Sequence, residues 1–267
     1  MRVAEVVEVS IGRGTDQKPA SFRYVSSELA AMAEAENYRR GILRRFAPYL
    51  SQRIVEVGAG MGAFSDLLLR EARPAALTLV EPADNLVSLL RQRFAGERRV
   101  TVVHGYLDLL VGSSPVDSVV LVNVLEHIED DAAVLRIIWD LLVPGGALLL
   151  FVPALPWLYG SMDRAFGHVR RYRKPALAQM LDRIGYETVD LRYFNLLGVG
   201  PWLVAGRILQ RQTLHPKAVR LYDRWVLPWL LKLESCWPPP IGQSLLAVAR
   251  KPDRTGRENR DASRGER

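Results

Sequence analysis

The chain has 267 residues, long enough for one α/β domain with a sizeable core, or for one domain plus an insertion. Hydrophobic residues make up 49% and charged residues 24%, and Cys236 is the single cysteine, which argues against a fibrous or disordered chain and excludes an intramolecular disulfide. The net charge of +7 comes partly from an arginine-rich C-terminus, and no nucleic-acid-binding motif accompanies it, so the excess reads as a solvated basic face suited to an anionic partner or a membrane surface.

Residues 1–25 are expected as a loose arm. Their first part, Met1 to Gly14, lacks the apolar stretch of a signal peptide. No apolar run reaches the ~18 to 20 residues of a membrane span, so the expectation is a cytoplasmic protein able to touch a membrane without crossing it. Ser26 to Tyr49 reads as helix, with Leu29, Met32, Tyr38, Ile42, Leu43 and Phe46 near helical spacing. From Arg53 short β-rich runs alternate with helical stretches. Strands are expected at Arg53 to Val57, Ala76 to Val80, Val100 to His104, Val116 to Val122, Gly146 to Val152, Tyr186 to Tyr193 and Gln243 to Ala249. Helices are expected at Gly62 to Arg70, Leu86 to Phe94, Asp131 to Leu142 and Pro175 to Ile184. Runs such as Ser118-Val119-Val120-Leu121-Val122 suit strands covered on both faces, and the alternation implies a mainly parallel sheet with right-handed crossovers. One domain over 26–250 is expected, with 196–241 as a helical insertion before the last strand and 251–267 as a disordered tail.

The sharpest motif is Glu56-Val57-Gly58-Ala59-Gly60-Met61-Gly62, a strand entering a glycine turn that opens a helix. Glycines let the backbone turn tightly and come close to a ligand. Glu81 ends the next strand, where a carboxylate can accept hydrogen bonds from both ribose hydroxyls. Taken alone, Gly58, Gly60 and Ala63 also satisfy the dinucleotide pattern, so this stretch admits both an NAD(P)-dependent oxidoreductase and a nucleoside-binding transferase. A non-catalytic binding protein with the same fold is a third reading.

The order of motifs along the chain resembles class I S-adenosylmethionine-dependent methyltransferases. Glu56 to Gly62 is similar to their first motif, Val80-Glu81-Pro82 to the second, Asp117 to Ile128 to the stretch at and after the fourth strand, and Pro144-Gly145-Gly146 to the turn into the fifth. The resemblance spans roughly Tyr38 to Tyr193. It implies a Rossmann-like methyltransferase fold with helices on both faces of the sheet, and S-adenosyl-L-methionine as cofactor. It places Glu56, Gly58, Ala59, Gly60 and Gly62 around the methionine end, Glu81 and Pro82 at the ribose, and Tyr106 and Leu107 beside the adenine. Asn123 and His127 line the methionine end. Many relatives carry an acidic residue at the Tyr106 position, and Asp108 is the nearby carboxylate here.

The segment after the fifth strand, with Asp163 and Gly167-His168-Val169-Arg170-Arg171-Tyr172, resembles a bacterial methyltransferase branch with a Gly-His-x-Arg-Arg-Tyr pattern. Ligands of open α/β sheets bind at the carboxyl ends of strands, so this loop is expected to hold the methyl acceptor. Asp163, His168, Arg171 and Tyr172 are the catalytic candidates. His168 is the expected general base, because imidazole titrates near ~6.5. Arg171 is expected to fork onto a carboxylate or phosphate and Tyr172 to orient a partner. No metal-ligand spacing is evident, and no metal is expected. The aromatic residues Trp202, Trp225 and Trp229 with Arg207, Arg211, Lys217, Arg220 and Arg224 admit a small-molecule, sugar or lipid-linked acceptor, anionic in character.

Overall fold

The computed structural model describes Met32 and residues 34–253; the arm expected over 1–25, the start of the first expected helix and most of the expected tail lie outside the described residues. Seven strands form one sheet: β1 (Arg53–Val57), β2 (Ala76–Glu81), β3 (Val100–His104), β4 (Val116–Val122), β5 (Leu142–Pro153), β6 (Glu187–Phe194) and β7 (Ser244–Arg250). Their order is β3-β2-β1-β4-β5-β7-β6. The pairs among β1 to β5 are parallel, and β7 runs antiparallel to both β5 and β6. The sheet is thus the Rossmann-like methyltransferase fold, with its strand order reversing between β1 and β4. In such sheets the crevice at that reversal is where ligands bind.

Helices cover both faces because the central strands are apolar on both. On one side α1 (Glu36–Phe46), α2 (Ala63–Leu67) and α3 (Asp84–Arg93) pack against Ile54, Leu77, Leu79, Val120 and Leu149. On the other, α4 (Asp131–Leu141), α5 (Ser161–Phe166) and α6 (Lys174–Ile184) pack against Val55, Val119, Leu121, Leu148 and Leu150. Between β6 and β7 lie α7 (Val199–Leu203), α8 (Pro216–Trp225) and α9 (Leu227–Cys236).

Three local differences from the sequence expectation have physical causes. The helix after β1 is α-helical for five residues and finishes as a turn of π-helix over Leu68–Ala72, closed by Arg73 in the left-handed region. Strand β5 begins before the Pro-Gly-Gly turn, not after it. Its register with β4 jumps from Val116↔Leu142 to Ser118↔Ala147, so the turn is an outward bulge within a continuing strand. The expected tail is fastened at its start. Lys251 donates from its backbone N to Gly146 O (2.9 Å) and from Nζ to Trp139 O (2.7 Å) and Leu142 O (2.8 Å).

Candidate active site

The turn after β1 carries Gly58, Gly60 and Gly62 at φ 70°, 57° and 77°, a left-handed run that side chains disfavour. Gly58 has a second reason to be glycine: a Cβ there would lie 2.5 Å from Val124 Cγ2, so the turns leaving β1 and β4 meet without space for one. The turn is tied to β2, with Gly58 N donating to Val80 O (2.8 Å). Glu81, at the carboxyl end of β2, closes it. Its Oε2 accepts from Gly60 N (2.9 Å) and its Oε1 from Ala83 N (3.0 Å). Burial pushes the Glu81 carboxyl up, against the pull of those two donors.

Glu56 sits in β1, buried, and accepts a hydrogen bond from Ser65 Oγ of α2 (2.5 Å). Burial carries its pKa up to about 8. It therefore holds the turn as a largely neutral acid. Along the same rim stand Pro82 after β2, half-buried Tyr106 and buried Leu107 after β3, and Asn123 after β4. Asn123 adopts φ 54°, a conformation that asparagine tolerates better than most side chains. Asp108 is exposed. A glycine cradle, a carboxylate, an apolar ledge and an asparagine amide at the ends of four adjacent strands fit the donor set that S-adenosylmethionine requires.

The segment after β5, expected to be a loop that holds the acceptor, is partly helical. It contains α5, and Asp163 in its first turn is fully buried. Asp163 is the hub. Oδ1 accepts from Arg171 Nε (2.7 Å) and pairs with His168 Nδ1 (2.9 Å). Oδ2 accepts from Gly160 N (2.9 Å) and Trp202 Nε1 of α7 (3.3 Å). Burial opposes ionisation, but the His168 hydrogen bond and the Arg171 charge together hold the Asp163 carboxyl below its ordinary value. Arg171 also donates to Ala154 O (3.0 Å), and its guanidinium lies 4.8 Å over the Trp202 ring. Its side chain is 1% exposed. Tyr172 is equally committed. Its buried hydroxyl lies 2.9 Å from Asp131 Oδ2 and 3.1 Å from Leu125 O.

The two sides meet at His127. It follows β4 on the turn Leu125–His127, and its Nδ1 lies 3.2 Å from Gly167 O. The His127 and His168 rings pack edge to face at 4.9 Å. Burial, then the neighbouring His168, lower the His127 pKa to about 4, leaving a neutral imidazole. Two members of this wall were not among the cofactor or catalytic candidates read from the sequence. Glu126, next to His127 in the chain, is fully buried with Oε1 3.9 Å from His168 Nε2. Trp202 reaches Asp163 from a helix far along the chain. The Glu126 signal was its place beside His127 directly after β4; nothing local announces Trp202.

A methyltransferase-domain family matches residues 23–191, more than half of the chain. The chain belongs to that family. It is an S-adenosylmethionine-dependent methyltransferase of class I, and the oxidoreductase alternative left open by the glycine turn is set aside. The methyltransferase is 29% identical over 194 residues to a ubiquinone biosynthesis O-methyltransferase of Xylella fastidiosa, spanning 66% of this chain and 76% of that one. It is 26% identical over 168 residues to the protein of the same name from Paracidovorax citrulli, spanning 57% and 70%. Among solved structures, the N-methyltransferase NodS of Bradyrhizobium japonicum with S-adenosyl-L-homocysteine shares the fold at a TM-score of 0.54 and 15% identity, over 83% of this chain and 88% of that one. A methyltransferase of Mesorhizobium loti does so at 0.54 and 19%, over 78% and 95%.

Proposed function

We propose that the methyltransferase transfers the methyl group of S-adenosylmethionine to an oxygen of a small-molecule acceptor held at the carboxyl ends of β4 and β5. The observation that carries this reading is the shared wall of His127 and His168. One ring belongs to the cofactor rim, the other to the acceptor segment, and they touch. An oxygen acceptor is supported by the two relatives named as O-methyltransferases.

The cofactor, when bound, supplies a methyl group already activated on a sulfonium. The residues of the chain supply position and a dry wall. In this reading Gly58, Ala59, Gly60 and Gly62, braced by Glu56, form the floor under the methionine end. Glu81 and Pro82 receive the ribose, Tyr106 and Leu107 flank the adenine, and Asn123 and His127 face the reacting end. His168 turns Nδ1 to Asp163, so only Nε2 can meet an acceptor proton. Asp163, Arg171 and Tyr172 are positioning residues. The anion clamp expected of Arg171 gives way to this role, because its guanidinium is spent on Asp163 and Ala154.

A second observation concerns the acceptor's source. Trp225, Trp229 and Trp237 are 62%, 74% and 74% exposed on and just after α8 and α9, beside exposed Arg220, Arg224 and Lys232. Exposed indoles with cations near them in the chain suit contact with an anionic membrane and an amphipathic acceptor drawn from it.

Methylation of three acceptor classes tests the reading: a catechol with and without a prenyl tail, a hexose free and lipid-linked, and a primary amine. Transfer to a hydroxyl is expected. Transfer to the amine alone would overturn the oxygen assignment.

A further inference from the structure

Glu126, His127 and His168 each offer one ligand atom, and the three atoms all lie within 4.8 Å of one another. Glu126 and His127 come from the turn after β4, and His168 from the segment after α5, so the fold joins residues far apart in the chain. Glu126 and His168 side chains are 0% and 3% exposed.

The orientation of the two imidazoles points further. His127 Nδ1 faces the Gly167 carbonyl at 3.2 Å, and a carbonyl only accepts, so the proton is on Nδ1. His168 Nδ1 faces the Asp163 carboxylate at 2.9 Å, which fixes its tautomer in the same sense. Both rings therefore carry their lone pair on Nε2. Metal-ligating histidines are held in this way, with the second ring nitrogen donating to a carboxylate or a backbone carbonyl. The carboxylate that holds His168 is itself fixed by Arg171, Gly160 and Trp202. Atoms bound to one cation at ~2.0–2.2 Å sit about 3–4 Å apart, and Glu126 Oε1 and His168 Nε2 already stand 3.9 Å from each other.

We propose that Glu126, His127 and His168 bind a divalent transition-metal ion through one carboxylate oxygen and two imidazole nitrogens. Two imidazoles and one carboxylate suit zinc, manganese or ferrous iron, and leave coordination positions open. This deepens the reading of oxygen methylation and rests on it. An acceptor hydroxyl at an open position loses its proton to solvent, because a divalent cation lowers the pKa of a bound hydroxyl as it does that of water. The oxygen lone pair then forms the new bond to the methyl carbon as the carbon–sulfur bond breaks, and the electron pair of that bond stays on sulfur as a neutral thioether. The His168 lone pair is used for the cation, and His168 is then not the base.

The test is metal binding itself. Full-length protein freed of metal by chelation is titrated with Zn²⁺, Mn²⁺ and Co²⁺ by calorimetry, and the Co²⁺ form is read by its visible ligand-field absorption. Stoichiometric binding is expected for at least one ion, with a Co²⁺ spectrum of nitrogen and oxygen ligation. Glu126→Gln and His127→Ala should each weaken it at least about tenfold while melting near the parent temperature. Glu81→Ala should keep the metal while losing S-adenosylmethionine, which separates this inference from the cofactor assignment. No stoichiometric binding, or equal binding by both ligand variants, overturns the proposal. So does methyl transfer that needs His168 but is indifferent to chelation, which would return His168 to the role of base.

Discussion

At the scale of single residues, two glutamates one strand apart have opposite duties. Glu81 accepts two backbone donors at the lip of the glycine turn, and its removal takes away that brace and, in the proposed reading, the ribose acceptor. Glu81→Ala should weaken S-adenosylmethionine binding at least tenfold, about 1.4 kcal/mol, as measured by calorimetry. Glu56 lies deeper, with a pKa raised by burial to about 8. Its folded form holds the proton more tightly than the unfolded chain does. That contribution to stability is complete below the unfolded pKa, shrinks as pH rises above it, and is lost as pH passes about 8. Glu56→Gln does not titrate. Melts from mildly acidic to alkaline pH should show the glutamine variant gaining on the parent as pH rises; a constant difference would contradict a neutral Glu56.

At the scale of elements, buried carboxylates tie helices whose own ends lack caps. Helix α1 is preceded by Ala35, which offers no capping side chain. Asp223 of α8 takes its place. Its carboxylate oxygens accept from Asn37 N (2.9 Å) and Tyr38 N (2.8 Å). Asp223→Ala should cost about 1–3 kcal/mol in urea unfolding, because it strands two backbone donors at a helix start. Asp163 does more, joining α5, α7, His168 and Arg171. Asp163→Ala leaves the Arg171 charge buried without its carboxylate and should cost about 3–5 kcal/mol by the same measurement. The Asp163 carboxyl is held below its ordinary value, so its contribution is present at neutral pH and falls away as pH drops through the folded value.

At the scale of the whole molecule, the sheet brings the glycine turn, Glu81, Asn123 and His127 to the carboxyl ends of its parallel strands, and the helices between β6 and β7 serve two surfaces. Their inward side sends Trp202 to Asp163 and Asp223 to α1, while the outward side leaves three tryptophans exposed. Among the described residues no helix is long and apolar enough to cross a membrane. The double variant Trp225→Ser with Trp229→Ser should lower co-sedimentation with phosphatidylglycerol vesicles severalfold and leave S-adenosylmethionine affinity unchanged. Equal sedimentation of parent and variant would remove the membrane from the account.

The sequence by itself determined the sheet and the glycine turn after β1. Strand runs covered on both faces are apolar throughout, and β1, β3 and β4 have the predicted limits. The glycine turn was legible because left-handed backbone demands glycine residue by residue. Those signals are local. What the tertiary structure decided is what Asp163, Arg171, Tyr172 and Glu126 touch. A run of Arg-Arg-Tyr-Arg-Lys looks like a solvated basic turn, yet Arg171 and Tyr172 point inward because Asp163 and Asp131 wait there as buried anions and acceptors. A carboxylate after a strand gives no sign of its depth. Glu126 is buried because the segment carrying His168 folds over it, and only that closure turns two separate motifs into one wall.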